Sequence, residues 1–146
     1  MAGLQLDALA AFLRTIKPPE SPYDVYIAGY MTALSDAAKA GMEIFNGKGT
    51  CSTCHTPPLF TNNAFRNNQR NATFSGKTDP LAGFVGTGPT GYANVPQLRG
   101  IKGTAPYMHN GALGTLEQVV RFYNKSFSLG LIDRELSQLL EFLRSL

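Results

Sequence analysis

The fold class this sequence predicts is all-α, with short helices joined by long irregular loops. Three observations predict it. Apolar residues recur at helical spacing in several separate segments. No run alternates apolar and polar residues as a half-buried strand does. Glycine and proline, 15 and 9 of 146 residues, exceed their usual share and place much of the chain in turns. The length suits one domain. With 43% hydrophobic and only 16% charged residues, a disordered, charge-driven chain is excluded.

The first helix runs from Leu4 to Ile16, with Leu6, Leu9, Leu13 and Ile16 on one face. It stops where Pro18-Pro19 cannot continue it. Pro22 and the pattern Tyr23, Tyr26, Ile27, Tyr30 predict a short helix or turn that serves as a connector. Ser35 then caps a helix from Asp36 to Phe45, which presents Ala37, Ala40, Gly41, Ile44 and Phe45 on one side and leads straight to Cys51. From Thr56 to Tyr92 the chain is rich in Asn, Thr, Gly and Pro, with single aromatics at Phe60, Phe65, Phe74, Phe84 and Tyr92. So long a stretch without periodicity implies a ligand to wrap. Thr115 and Gln118 fit a capping box that opens a helix with Leu116, Val119, Val120 and Tyr123 on one side. Asp133 caps a last helix that carries Leu136, Leu139, Leu140 and Leu143.

Several function classes drop out early. No stretch reaches the roughly 18 apolar residues of an integral membrane segment. Asp7 interrupts the apolar N-terminal run and no basic residue precedes it, so no signal peptide is visible. The net charge is +3, but the thirteen basic residues are scattered rather than clustered, which argues against nucleic acid.

The two cysteines fall in Cys51-Ser-Thr-Cys-His55, the C-x-x-C-H spacing of covalent c-type haem attachment. Two thiols add to the two vinyl groups and the adjacent imidazole of His55 coordinates the iron. One motif implies one haem c. A zinc clip wants four ligands, and the chain has only these cysteines with His55 and His109. A thioredoxin-like pair wants a βαβ context, which is missing. A plain disulfide or two buried thiols would leave His55 and the aromatics unexplained. Haem also supplies a large apolar surface for short helices to share, with Phe60, Phe65, Phe74 and Phe84 lining the pocket. On the other face of the iron three residues compete. Met108 offers a thioether that favours the ferrous state, Tyr123 a phenolate that favours ferric iron, and His109 either a ligand or a hydrogen bond to a propionate. On the residues alone Met108 leads, and Met31 and Met42 are packing residues.

The run Val95-Pro-Gln-Leu-Arg-Gly-Ile-Lys-Gly-Thr-Ala-Pro-Tyr-Met-His-Asn-Gly111, followed by Gly114-Thr-Leu-Glu-Gln-Val-Val-Arg-Phe-Tyr-Asn124, resembles the C-terminal haem domain of bacterial dihaem cytochrome c peroxidases and their MauG-type relatives. With Ser21-Pro-Tyr-Asp24 and residues 51–60 the resemblance runs from Ser21 to the C-terminus. It implies a cytochrome-c-like monohaem domain over residues 21–146. Residues 1–20, a helix and linker, resemble the end of a preceding haem domain. In that family the distal ligand follows the Pro-Tyr-Met-His-Asn-Gly segment, and the matching position is Tyr123, tyrosine in the MauG-type branch and methionine in the peroxidase branch. This places Tyr123 ahead of Met108 and sets His109 beside the haem. Carbonyls matching Thr104 and Pro106 help bind an interdomain calcium in the peroxidases, but the other ligands come from the first domain, so a full calcium site is not expected here. The tryptophan that the family places between its haems has no counterpart, because the chain has none.

The resemblance implies single-electron transfer between a donor and a second haem domain or another redox partner protein. The alternative is a peroxidase or MauG-like enzyme whose own iron meets hydrogen peroxide. Haem attachment in the family occurs outside the cytoplasm, so a periplasmic location is expected, and the chain is expected to be an excised piece, a processed form or a domain split from its partner. Lys48, Arg66, Arg70, Lys77, Arg99 and Lys102 against Asp79 alone give residues 47–110 a positive balance. That balance reads as a rim that steers an acidic partner or neutralises propionates, or as a solvated surface.

Overall fold

The computed structural model describes residues 2–16, 19–66, 93–108 and 111–146. Among them are five helices: α1 (Ala2–Thr15), α2 (Pro22–Ile27), α3 (Asp36–Asn46), α4 (Leu116–Ser126) and α5 (Asp133–Arg144). Two 3-10 turns, Cys51–Thr53 and Ile101–Gly103, sit between them. The all-α reading holds, with one small addition. Phe65–Arg66 (β1) and Ala93–Asn94 (β2) form a two-residue antiparallel ladder that pairs Phe65 with Asn94. A ladder this short lacks the alternation that makes a strand visible in sequence. Most of the long Asn-, Gly- and Pro-rich stretch, with Phe74, Phe84 and Tyr92, lies outside the described residues.

The helices start where side chains can take up free amides. Ser35 Oγ accepts the Ala38 amide at 3.1 Å and opens α3. Thr115 Oγ1 accepts the Gln118 amide while the Gln118 side chain accepts the Thr115 amide, the reciprocal box expected for α4. Ser21 and Asp24 form a second such box at the start of α2. At α5 the expectation needs correcting by one residue. Ile132 occupies the cap position, Asp133 is already helical, and the Glu135 carboxylate reaches back to accept the Ile132 amide at 2.9 Å.

The core lies where α3 crosses α5. Gly41 permits the crossing, because a Cβ there would run into the backbone carbonyl of Gln138 and lie 2.9 Å from Cβ of Phe142. Leu136, Leu139, Leu140 and Leu143 of α5 are all buried, as their spacing predicted, each contributing roughly 1.5–3 kcal/mol. Phe45, Phe60 and Phe142 are fully buried and meet edge to face with centroids 5.2–6.1 Å apart, an arrangement that aligns ring edges with ring faces. Tyr23 closes the cluster 5.1 Å from Phe60, and its amide donates to the Ser145 carbonyl.

Helix α1 is different. Leu4, Leu6, Leu9, Phe12, Leu13 and Ile16 are all more than half exposed, so its apolar side has no cover within the described chain. No helix among the described residues is long and apolar enough to cross a membrane.

Candidate haem site

The segment between α3 and the first 3-10 turn is shaped around Cys51. Gly49 donates its amide to the Ile44 carbonyl at 2.7 Å, and a Cβ on Gly49 would fall 2.8 Å from that oxygen and 3.3 Å from Cys51 Sγ. Only glycine lets the chain turn so tightly against the thiol. Thr50 follows in the left-handed region at φ 51°. The turn then closes with the Cys54 and His55 amides both donating to the Cys51 carbonyl, at 3.2 and 2.9 Å. Asn62 braces it from outside, with its amide donating to the Cys54 carbonyl and its side chain to that of Thr53.

Cys51, Cys54 and His55 all line one cavity of about 880 Å³, counting the solvent at its open side. The walls are mainly aliphatic: Leu98 and Ile101 from one loop, Leu116, Val119 and Val120 from α4, and Leu129, Leu131, Leu139 and Leu143 from the loop before α5 and from α5. The sequence reading expected aromatics here. Phe60 instead packs behind the cavity in the buried cluster, and Phe65 is a half-buried strand residue that does not line it. The rings that do reach the cavity are Phe45, Tyr123 and Phe127.

His55 Nδ1 lies 2.9 Å from the Phe60 carbonyl. A carbonyl only accepts, so Nδ1 is the protonated donor in this contact. Burial pushes the imidazole below its ordinary value, partly offset by backbone hydrogen bonding to Phe60 and Pro96. Burial likewise pushes the Cys51 thiol up to about 11. A reactive redox pair needs a thiol poised to ionise, and burial moves Cys51 the other way. Both cysteines are free thiols, and among the described residues no three His, Cys, Asp or Glu side chains converge as a metal clip.

Tyr123 lines the same cavity from α4, with its ring stacked on Phe127 at 5.8 Å and 16° and flanked edge-on by Phe122. Met108 lies half-buried in a turn at φ 69° and is not among the described lining residues. His109 lies outside the described residues. Arg99 corrects the expectation of an exposed positive rim, because its guanidinium is interior and paired with Asp24 at 2.8 Å. Lys48 is likewise engaged, with Glu135 at 2.7 Å.

Comparison with known proteins decides the lineage. The family described as RoxA-like, cytochrome c-like matches residues 91–125. A cytochrome-c peroxidase, IdrP2, of Denitromonas iodatirespirans is 32% identical, an alignment covering 92% of this chain and 46% of that protein. The methylamine utilization protein MauG of Methylorubrum extorquens is 36% identical, covering 81% of this chain and 33% of its own. The chain is a cytochrome-c-like domain related to the cytochrome c peroxidases and MauG. Among solved structures, a MauG-like protein associated with microbial copper homeostasis superposes with a TM-score of 0.72 at 27% identity, over 95% of this chain and 55% of that one. The chain spans about half the length, or less, of the peroxidase and MauG relatives it matches.

A covalent haem c goes with a cytochrome-c-like domain of the peroxidase and MauG family, and the residues present fit that group. Two thiols at the attachment spacing and an imidazole whose Nδ1 is engaged by the Phe60 carbonyl all line one largely apolar cavity. Sequence reasoning missed two supporting residues. Asn124 clasps Leu131 by two hydrogen bonds of 2.9 Å and fixes the loop that walls the cavity. Gly49 shapes the approach to Cys51. Neither belongs to a motif that spacing alone reveals.

Proposed function

We propose that residues 21–146 form a monohaem electron-transfer domain, with Cys51 and Cys54 as the thioether anchors and His55 as proximal ligand. What supports this most is the placement of both thiols and the imidazole on a single apolar cavity. When bound, the haem supplies a one-electron couple at its iron. Cys51 and Cys54 would hold it to the turn through thioether links. His55 holds its proton on Nδ1 against the Phe60 carbonyl, and its Nε2 would be the atom that holds the iron. The aliphatic walls exclude water and lower the local dielectric, which limits reorganisation when charge changes. Tyr123 is the distal ligand in this reading, since it reaches the cavity from the side of α4 and stacks on Phe127. Met108 is the runner-up, and His109 would serve a haem propionate, as the family resemblance implies.

The partner is a second haem domain, or another redox protein, against which α1 lays its exposed leucines. In this reading residues 1–20 belong to that junction and residues 21–146 to the haem domain. The setting is periplasmic. Any calcium would need ligands beyond the carbonyls of Thr104 and Pro106, because calcium takes roughly 6–8 oxygens.

Optical and paramagnetic-resonance spectra test the carrier role. A low-spin ferric signal that cyanide and peroxide leave unchanged is expected of a carrier, and Tyr123→Phe should alter the ligand field while Met108→Leu does not. A high-spin signal that shifts with either additive points instead to the peroxidase or MauG-like alternative. An altered ligand field in Met108→Leu alone transfers the distal role to the thioether.

A further inference from the structure

Arg99 is a basic residue in the wrong place for a steering charge. Its side chain is 11% exposed, and three of its nitrogens are engaged in separate directions. Nε donates to the Pro58 carbonyl at 2.8 Å, Nη1 to Ser21 Oγ at 3.1 Å, and Nη2 pairs with Asp24 Oδ1 at 2.8 Å. The guanidinium lies 5.3 Å from the ring centroids of both Phe60 and Tyr23, within cation–π range. Phe60 is the residue whose carbonyl receives the His55 Nδ1 proton. Its backbone is in the left-handed region at φ 58°, a conformation that a phenylalanine keeps only when its surroundings hold it. Arg99 grips the loop on both sides of this point, by hydrogen bond at Pro58 and by ring contact at Phe60. The capping box of α2 supplies the fixed end of the grip, because Ser21 and Asp24 are locked to each other before they meet Arg99.

We propose that Arg99 is the positioning residue for the proximal imidazole, holding the Phe60 carbonyl where His55 Nδ1–H donates to it. The proposal rests on His55 being the iron ligand. A pinned acceptor fixes the plane of the ring and strengthens its donation to the metal, as outer partners of a ligating histidine do. Lysine cannot substitute: an ammonium has one donor centre, and it cannot bond Pro58, Ser21 and Asp24 together while lying over two rings.

The experiment uses the haem-loaded chain and reads exchange of the His55 Nδ1 proton with D2O by paramagnetic NMR, beside the midpoint potential. Arg99→Lys retains the charge, so a change in potential reports the ring rather than a lost cation. Exchange at least tenfold faster and a raised potential are expected, with the α5 amides of Leu139 and Leu140 within twofold of wild type. Asp24→Asn loosens only the anchor and should give about a threefold or greater acceleration, and it stands alone if Arg99→Lys does not fold. Exchange within twofold of wild type overturns the proposal, as does acceleration matched by the α5 amides, which marks a merely structural role. A chain with no haemochrome band fails one step earlier: the haem assignment falls and takes the proposal with it.

Discussion

Burial pushes the Cys51 thiol up to about 11 and the His55 imidazole below its ordinary value, so at both residues it disfavours the charged form. Asp24 is the opposite case. Burial alone would raise its carboxyl, but hydrogen bonds from Ser21 and Arg99 outweigh this and hold it below its ordinary value. A depressed carboxyl contributes stability that is present above the unfolded value of about 3.9 and is lost as pH falls through the folded one. Urea midpoints measured at pH 5 and pH 3 should therefore fall further for the wild type than for Asp24→Asn. Equal falls would show that the Arg99 pair adds nothing in acid.

At the scale of elements, the α3–α5 crossing depends on Gly41 having no side chain. Gly41→Ala pushes a methyl against the Gln138 carbonyl and is expected to cost about 1–3 kcal/mol in denaturant unfolding, since a backbone oxygen cannot rotate away. A variant as stable as the wild type would mean that the helices part freely. Asn124→Ala breaks the clasp on Leu131 and leaves a part-buried carbonyl and amide unpaired, at roughly 1–3 kcal/mol. These elements were unequally legible in sequence. The leucine spacing of α5 and the Thr115–Gln118 box depend on neighbours three or four residues apart, so period and chemistry alone located them. Asp133 was misplaced by one position, because cap preference does not distinguish a capping aspartate from one in the first turn when Glu135 does the reaching back. Arg99 and Asp24 are 75 positions apart, and no local pattern announces that they meet. Phe60 was expected in the cavity wall, since an aromatic near an attachment motif reads the same whether it faces the ligand or the core behind it.

At the scale of the whole molecule, the chain has a packed domain with an apolar cavity and a helix, α1, whose apolar side has no cover among the described residues. Leu9→Gln with Leu13→Gln should leave unfolding within about 0.5 kcal/mol of wild type, because neither side chain is buried. The same pair should weaken association with a second haem domain in sedimentation, and unchanged association would place the partner elsewhere. The account depends most on one covalent macrocycle per chain, and a pyridine haemochrome titration against protein concentration, read beside intact mass, measures that directly. The account predicts one haem c for each chain, retained after denaturation in the wild type and lost to acid–acetone extraction in the Cys51→Ala, Cys54→Ala double variant. A wild-type chain matured with the attachment machinery yet carrying no covalent haem would contradict it.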